Sequence, residues 1–420
     1  MRSQLVMNAL SLYAVQGLNY LMPLVVLPFL LRALTAVEYG TIVFAQSLMG
    51  YGLILTEFGF NFTAARDISI ARDNPAEVAK IYWVTTAAKI ILLLISSGIL
   101  CAVILLTPRF RNEWPIFAAS GMLLLGNVAF PQWYFQGLER LKDVAAVQAI
   151  AKCVVSGAVI LFVRSSQDVL IAALILSLPQ LIGAAAAVVM KKSLTPSQFY
   201  RPTFSDIARA LSASWHLFSG NLASTLYLQT TTIVLGLVCG AQAVANFSVP
   251  SRIVSAVRGL TLPITQSVFP RFSRLFAVQR NEAWHLLRQV GKILLPAMAV
   301  IGLVIGVFAP LIIRMVAGDG YREAVPVLRI MAVLPVLVTS ALMLAQLVMV
   351  NTGLSRQLSA IYMVVGVASL MALIPLIRAL GTSGAAVSLV IAEACGPILM
   401  GGVIWRKRNS VGYQSDSRSA

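Results

Sequence analysis

Along this chain long apolar stretches alternate with short polar ones, at a spacing that suits a bilayer. A helix needs about 20 predominantly apolar residues to cross a hydrocarbon core of ~30 Å at 1.5 Å per residue. Windows of that kind, bounded by charged or turn residues, predict twelve helices, over 10–31, 40–58, 81–106, 114–136, 144–163, 168–190, 214–237, 243–269, 291–316, 326–350, 357–378 and 383–405. The seventh, rich in Ser and Thr, and the charged eighth depart furthest from the pattern.

Composition then fixes the class. With 59% hydrophobic and 11% charged residues and a mean hydropathy of +0.85, polar side chains are too few to clothe a water-soluble globule. The expected fold class is an all-α integral membrane protein with about twelve transmembrane helices. The first apolar run is longer than a signal-peptide core and lacks a small-residue cleavage site, so it is expected to stay as span 1. Cys101, Cys153, Cys239 and Cys395 are far apart with no CxxC, and His216 and His285 have no metal-ligand spacing. The cysteines read as small core hydrophobes rather than metal ligands or disulfides, and neither metal nor cofactor is expected.

Basic residues set the orientation. With a cytoplasmic N-terminus, inside segments hold about 20 Lys and Arg and outside segments about 7, the positive-inside asymmetry. Inside lie Arg66, Arg72 and Lys80; Arg140 and Lys142; Lys191, Lys192, Arg201 and Arg209; Arg271, Arg274, Arg280, Arg288 and Lys292; and Arg406, Lys407 and Arg408. Both termini are therefore expected in the cytoplasm. Much of the net charge of +17 is then topogenic and lipid-facing, and implies no nucleic-acid partner.

The segment joining spans 1 and 2, LLRALTAVEYGTIVFAQS, is similar to GLVCGAQAVANFSVPSR, which joins spans 7 and 8 about 207 residues later. Two halves are expected: a six-helix bundle over 1–195, a linker with an interfacial helix over 196–213, a second bundle over 214–405, and a basic tail over 406–420. Spans 1 and 7 carry polar stripes near helical spacing, Asn8, Ser11, Gln16 and Asn19 in one and Asn221, Thr225, Gln229 and Thr232 in the other. Either the stripes face a central cavity, or they hydrogen-bond between helices and hold the bundle together.

Ionisable residues inside spans are costly, by roughly 2.5–3.5 kcal/mol each on insertion scales. Lys89 in span 3, Lys152 in span 5, and Arg252 and Arg258 in SRIVSAVRGLTLPITQSVFPRFSR are the buried cations that a wet, anion-receiving cavity would explain. A lysine stem can also lift its ammonium to the headgroups, and Arg32 and Arg329, near span ends, suit simple anchoring. Six residues apart, Arg252 and Arg258 point about 120° from each other. Glu57 and Glu393 are the buried acids, expected either to pair with a cation or to titrate in an ion-coupled cycle. Prolines within spans, Pro131 and Pro263 among them, are expected to free carbonyls and kink helices.

Five segments in order resemble one family: EYGTIVFAQSLMGYGLILTEFGFNFTAARDISIAR from Glu38, PQWYFQGLERLKDVAAVQAIAK from Pro131, FSVPSRIVSAVRGLTLPITQSVFPRFSRL from Phe247, GDGYREAVPVLRIMAVLP from Gly318 and ALGTSGAAVSLVIAEA from Ala379. They are similar to Wzx-type polysaccharide flippases, in the multidrug/oligosaccharidyl-lipid/polysaccharide exporter superfamily. The resemblance implies two bundles alternating between inward and outward openings in a bacterial inner membrane. It implies an undecaprenyl-pyrophosphate-linked oligosaccharide as cargo, bilayer lipids around the protein, and a polysaccharide polymerase and chain-length regulator as partners. Lys89, Lys152, Arg252, Arg258, Gln16, Asn19, Asn221 and Gln229 would then line the cargo path, with Trp133, Tyr134 and Tyr227 as candidates for sugar selection.

Two other readings compete. An exporter of cationic drugs wants buried carboxylates, whereas this chain buries more Lys and Arg than Asp and Glu. A membrane-embedded polymerase or glycosyltransferase needs a loop bearing acids, a metal or a nucleophile. The expected outer loops are short, and no HExxH, Walker, DxD or GxSxG motif occurs.

Overall fold

A computed structural model describes residues 22–189 and 198–407, with the side chains of a few residues among them left aside. Regular structure in these residues is helical throughout. Among the described residues seven helices are long and apolar enough to cross a membrane, or eight if one bent pair counts as a single span. Contacts divide the chain into two compact units, Met1–Gly236 and Leu237–Ala420.

Unit 1 runs through α1 (Met22–Ala33), α2 (Ala36–Glu57), α3 (Phe60–Ile70), α4 (Pro75–Leu106), α5 (Trp114–Ala129), α6 (Gln132–Gly137), α7 (Leu141–Phe162), α8 (Val169–Ser177), α9 (Pro179–Val189) and most of α10 (Phe204–Cys239). Helix starts follow local chemistry. The Thr35 hydroxyl accepts the Glu38 N–H while the Glu38 carboxylate accepts the Thr35 N–H, a reciprocal cap. Asn74 caps α4, and Pro75 at its first position loses no hydrogen bond.

Breaks follow too. Helix α2 stops at Phe58 and Gly59, both in left-handed backbone (φ 44° and 81°), and the chain resumes as α3. Helix α5 stops at Phe130 (φ −103°, ψ 98°), because the residue before Pro131 is forced out of the helical region. Expected spans 2 and 4 are thus broken rods, Ala36–Ile70 and Trp114–Gly137. Helices α8 and α9 meet at a 51° bend ahead of Pro179. The boundary expected near 213 falls inside α10, which is unbroken from Phe204.

The two faces of α4 show the bilayer logic. Ile90, Ile91, Leu94, Ile95 and Ile99 are exposed apolar side chains, as a lipid-facing stripe requires, while Thr85, Ala88, Lys89, Leu92, Ser96 and Leu100 turn inward at helical spacing. The core beneath gathers Phe58, Phe60, Tyr82, Trp133, Tyr134 and Phe218, with the Phe58 and Phe218 rings stacked at 4.3 Å.

Unit 2 holds α11 (Ala241–Gly259), α12 (Thr261–Val278), α13 (Arg280–Val307), α14 (Ala309–Ala317), α15 (Ala324–Met331), α16 (Leu334–Leu342), a π-helical stretch (Met343–Met349) and α17 (Ser355–Arg406). The single span expected over 243–269 is two helices meeting at Leu260. Pro263 cannot supply the N–H that would bond the Gly259 carbonyl, so the ladder stops there. The last two expected spans run together as α17, interrupted by non-helical Gly381 (φ 57°). Phe272, Trp284, Met298, Leu347, Met349, Ile361 and Met400 form the core.

Candidate functional site

In unit 1 two charges of the expected spans, Lys89 and Glu57, converge on one asparagine. Lys89, on the inward stripe of α4, is only 3% exposed, and its ammonium donates to the backbone carbonyl of Asn127 at 3.0 Å. The Asn127 side-chain amide donates to Glu57 Oε1 at 3.1 Å, and the Thr56 hydroxyl donates to Asn127 Oδ1 at 3.4 Å. One asparagine therefore links α2, α4 and α5. The Lys89 ammonium is thus turned to a protein carbonyl inside the bundle. Lys152 sits half-buried on α7.

The polar stripe of span 7 meets α2. A Cβ on Gly50 would lie 2.7 Å from Gln229 Nε2, so the Gln229 amide rests on the bare backbone there. The neighbouring Thr230 hydroxyl pairs with Tyr51 Oη at 2.7 Å. Here the stripe includes contacts between helices of one unit. Asn221 is carried by α10, with its side chain outside the described residues, as are Gln16 and Asn19. Trp133 (1% exposed) and Tyr134 (5%) are packed around Tyr82 in the core, which leaves them no free face for a sugar.

In unit 2, Arg258 occupies the last turn of α11, where a cation also suits the helix dipole. Its guanidinium lies 3.6 Å from the carboxylate of Glu393 on α17, with side-chain exposures of 31% and 16%. Each solvates the other, and Arg258 retains an open side. Arg252 is half-buried on the same helix. Asn246 donates to Glu323 Oε2 at 2.8 Å, while its own Oδ1 is buried without a partner.

Sequence reasoning missed Asn127 as the hub. The available signal was an asparagine inside an apolar span four residues before a proline, the position whose carbonyl loses its helical donor. Among the described residues no three His, Cys, Asp or Glu side chains stand close enough to hold a metal ion. An open cavity of about 240 Å³ in unit 1, with polar and apolar lining, lies between α3, α4 and α10. Its acids already have partners: Asp67 with Arg66, Glu77 with Lys80, and Asp206 with Thr203.

These features define an all-helical, multi-span membrane protein, and its fold is that of known membrane transporters. A multidrug resistance MATE family transporter of the MOP superfamily, solved in an inward-facing conformation, matches with a TM-score of 0.68 at 15% identity, covering 94% of this chain and 95% of that one. The lipid II flippase MurJ matches with a TM-score of 0.63 at 13% identity, covering 95% and 87%. The family model described as "Polysaccharide biosynthesis protein" matches residues 5–276, and the chain belongs to that family. Two relatives bear the name "Putative O-antigen transporter". The one from Escherichia coli (strain K12) is 30% identical over 94% of this chain and 95% of its own length. The one from Shigella dysenteriae is 27% identical over 92% and 96%.

Proposed function

We propose that this protein is a flippase that moves undecaprenyl-pyrophosphate-linked oligosaccharide repeat units from the cytoplasmic to the periplasmic leaflet of a bacterial inner membrane. It is a transporter and not an enzyme, and the product path is a surface polysaccharide of the O-antigen class. The observation that carries this reading is the match to a named O-antigen transporter along nearly the full length of both chains. Twelve spans in two six-helix bundles with both termini cytoplasmic, alternating between two openings, is the architecture that goes with it.

The charges suit that cargo. A lipid diphosphate crossing the bilayer needs cationic hydrogen-bond donors in place of water. Arg258, with one side open, Arg252 and Lys152 are the cargo-facing set in this reading, with Gln229, Asn221, Gln16 and Asn19 as polar lining. Glu393 holds Arg258 in place between turnovers. A drug-exporter reading is weaker on physical grounds, because Glu393 is matched with Arg258 and Glu57 with the Asn127 amide. A cationic drug would have to displace those partners.

Deletion of the gene in its native host, followed by return of the gene on a plasmid, tests the reading. Surface polysaccharide is expected to disappear and then return, with lipid-linked repeat units accumulating in the deletion. Normal surface polymer in the deletion of a strain with no second flippase overturns it.

A further inference from the structure

We infer that Lys89 is a positioning residue: its ammonium takes the place of the backbone N–H that Pro131 lacks, capping α5 and pinning the break in span 4 to α4 and to the end of α2. In an uninterrupted helix the Asn127 carbonyl would accept from the N–H of residue 131, four positions on. Residue 131 is proline and has no N–H. The neighbouring Gly126 carbonyl is satisfied by the Phe130 N–H at 3.0 Å, and the next free N–H, that of Gln132, turns to the Phe130 carbonyl at 2.8 Å. Asn127 would thus keep a bare carbonyl inside the membrane, where an unsatisfied group is costly. Lys89 Nζ meets it at 3.0 Å. A cation at this point also faces the negative end of the α5 dipole.

The pin reaches further than one carbonyl. Asn127 holds Glu57 through its side-chain amide, and Glu57 is the last residue of α2 before the break at Phe58–Gly59. The two breaks, in spans 2 and 4, therefore share one junction. Beyond them α3 and α6 are packed backbone to backbone: a Cβ on Gly137 would lie 2.7 Å from the Ala65 carbonyl oxygen and 2.7 Å from Ile68 Cβ. Lys89 sets where this paired segment begins. The need for a hydrogen-bond donor here arises from Pro131, independently of any cargo, and so does not depend on the flippase reading.

The test is a double-mutant cycle on the purified full-length protein in detergent. It compares wild type, Lys89→Met, Pro131→Ala and the double variant, by thermal unfolding and by amide exchange over 123–137. Pro131→Ala returns an N–H that can serve the Asn127 carbonyl. Lys89→Met alone is expected to lower the melting temperature and speed exchange at this helix end by about tenfold or more, the loss of one charge-assisted bond. In the Pro131→Ala background the same change is expected to do much less. Additive effects at the two positions, or wild-type exchange over 123–137 in Lys89→Met, overturn the inference. If Lys89→Met fails to accumulate, recovery of folded protein in the double variant supports the pin, and equal failure of the double variant overturns it.

Discussion

Within unit 2 the guanidinium of Arg258 and the carboxylate of Glu393 face each other at 3.6 Å, tying the end of α11 to the part of α17 beyond Gly381. In the proposed reading the pair has two separable roles, holding the helices and offering a cation to cargo. Arg258→Glu places two carboxylates together and is expected to reduce transport by at least about tenfold, with Arg258→Lys milder. The charge-swapped Arg258→Glu/Glu393→Arg protein re-forms a pair, so its level in the membrane is expected to recover while transport does not. Surface polymer and protein level, measured side by side, check this. Full transport by the swapped protein would leave Arg258 a purely structural role.

Gly59 is constrained twice. Its φ of 81° lies in the left-handed region, and a Cβ there would stand 3.0 Å from Leu217 Cβ and 3.3 Å from the Phe218 nitrogen of α10. Gly59→Val is expected to cost about 1–3 kcal/mol from backbone strain alone, with the close approach adding to it. A melting temperature equal to wild type in detergent would contradict this.

The start of α10 is expected to respond to acid. The Asp206 carboxylate accepts from the Thr203 hydroxyl at 2.6 Å, the Thr203 N–H at 3.1 Å and the Tyr200 hydroxyl at 3.0 Å. Those bonds, Thr203 first, hold its pKa below the usual 3.8, and the bond to Asp206 raises that of Tyr200. A depressed carboxylate pKa stabilises the fold above its unfolded value and loses that contribution as pH falls through the folded value. The protection factor over 203–208, that is exchange corrected for its intrinsic pH dependence, is therefore expected to be level above about pH 4 and to fall below it. Asp206→Asn is expected to abolish the step, and an unchanged step in that variant would contradict the assignment.

How much of this was legible follows from which forces act locally. The apolar windows marked where most helices lie, because bilayer thickness and helix rise set their length. The breaks at Phe130 and Leu260 were signalled by Pro131 and Pro263, whose chemistry is local. The break at Phe58–Gly59 was not foreseen, since a glycine is equally at home inside a transmembrane helix. Charge position was the hardest part. Lys89 and Lys152 looked alike by depth in the sequence, yet Lys89 is buried with its ammonium on the Asn127 carbonyl while Lys152 is half-buried. Which face of a helix turns inward depends on neighbours far away in sequence. Trp133 and Tyr134 looked like cargo aromatics for the same reason and are core.

The most direct test of the central claim is a sidedness measurement on the lipid-linked cargo itself. Spheroplasts of the native host, with and without this protein, are labelled with a membrane-impermeant reagent for the glycan of the undecaprenyl-linked repeat unit. The flippase account predicts that most repeat units become reagent-accessible when the protein is present and remain protected when it is absent or carries Arg258→Glu. Equal accessibility with and without the protein, in a strain with no second flippase, would contradict it.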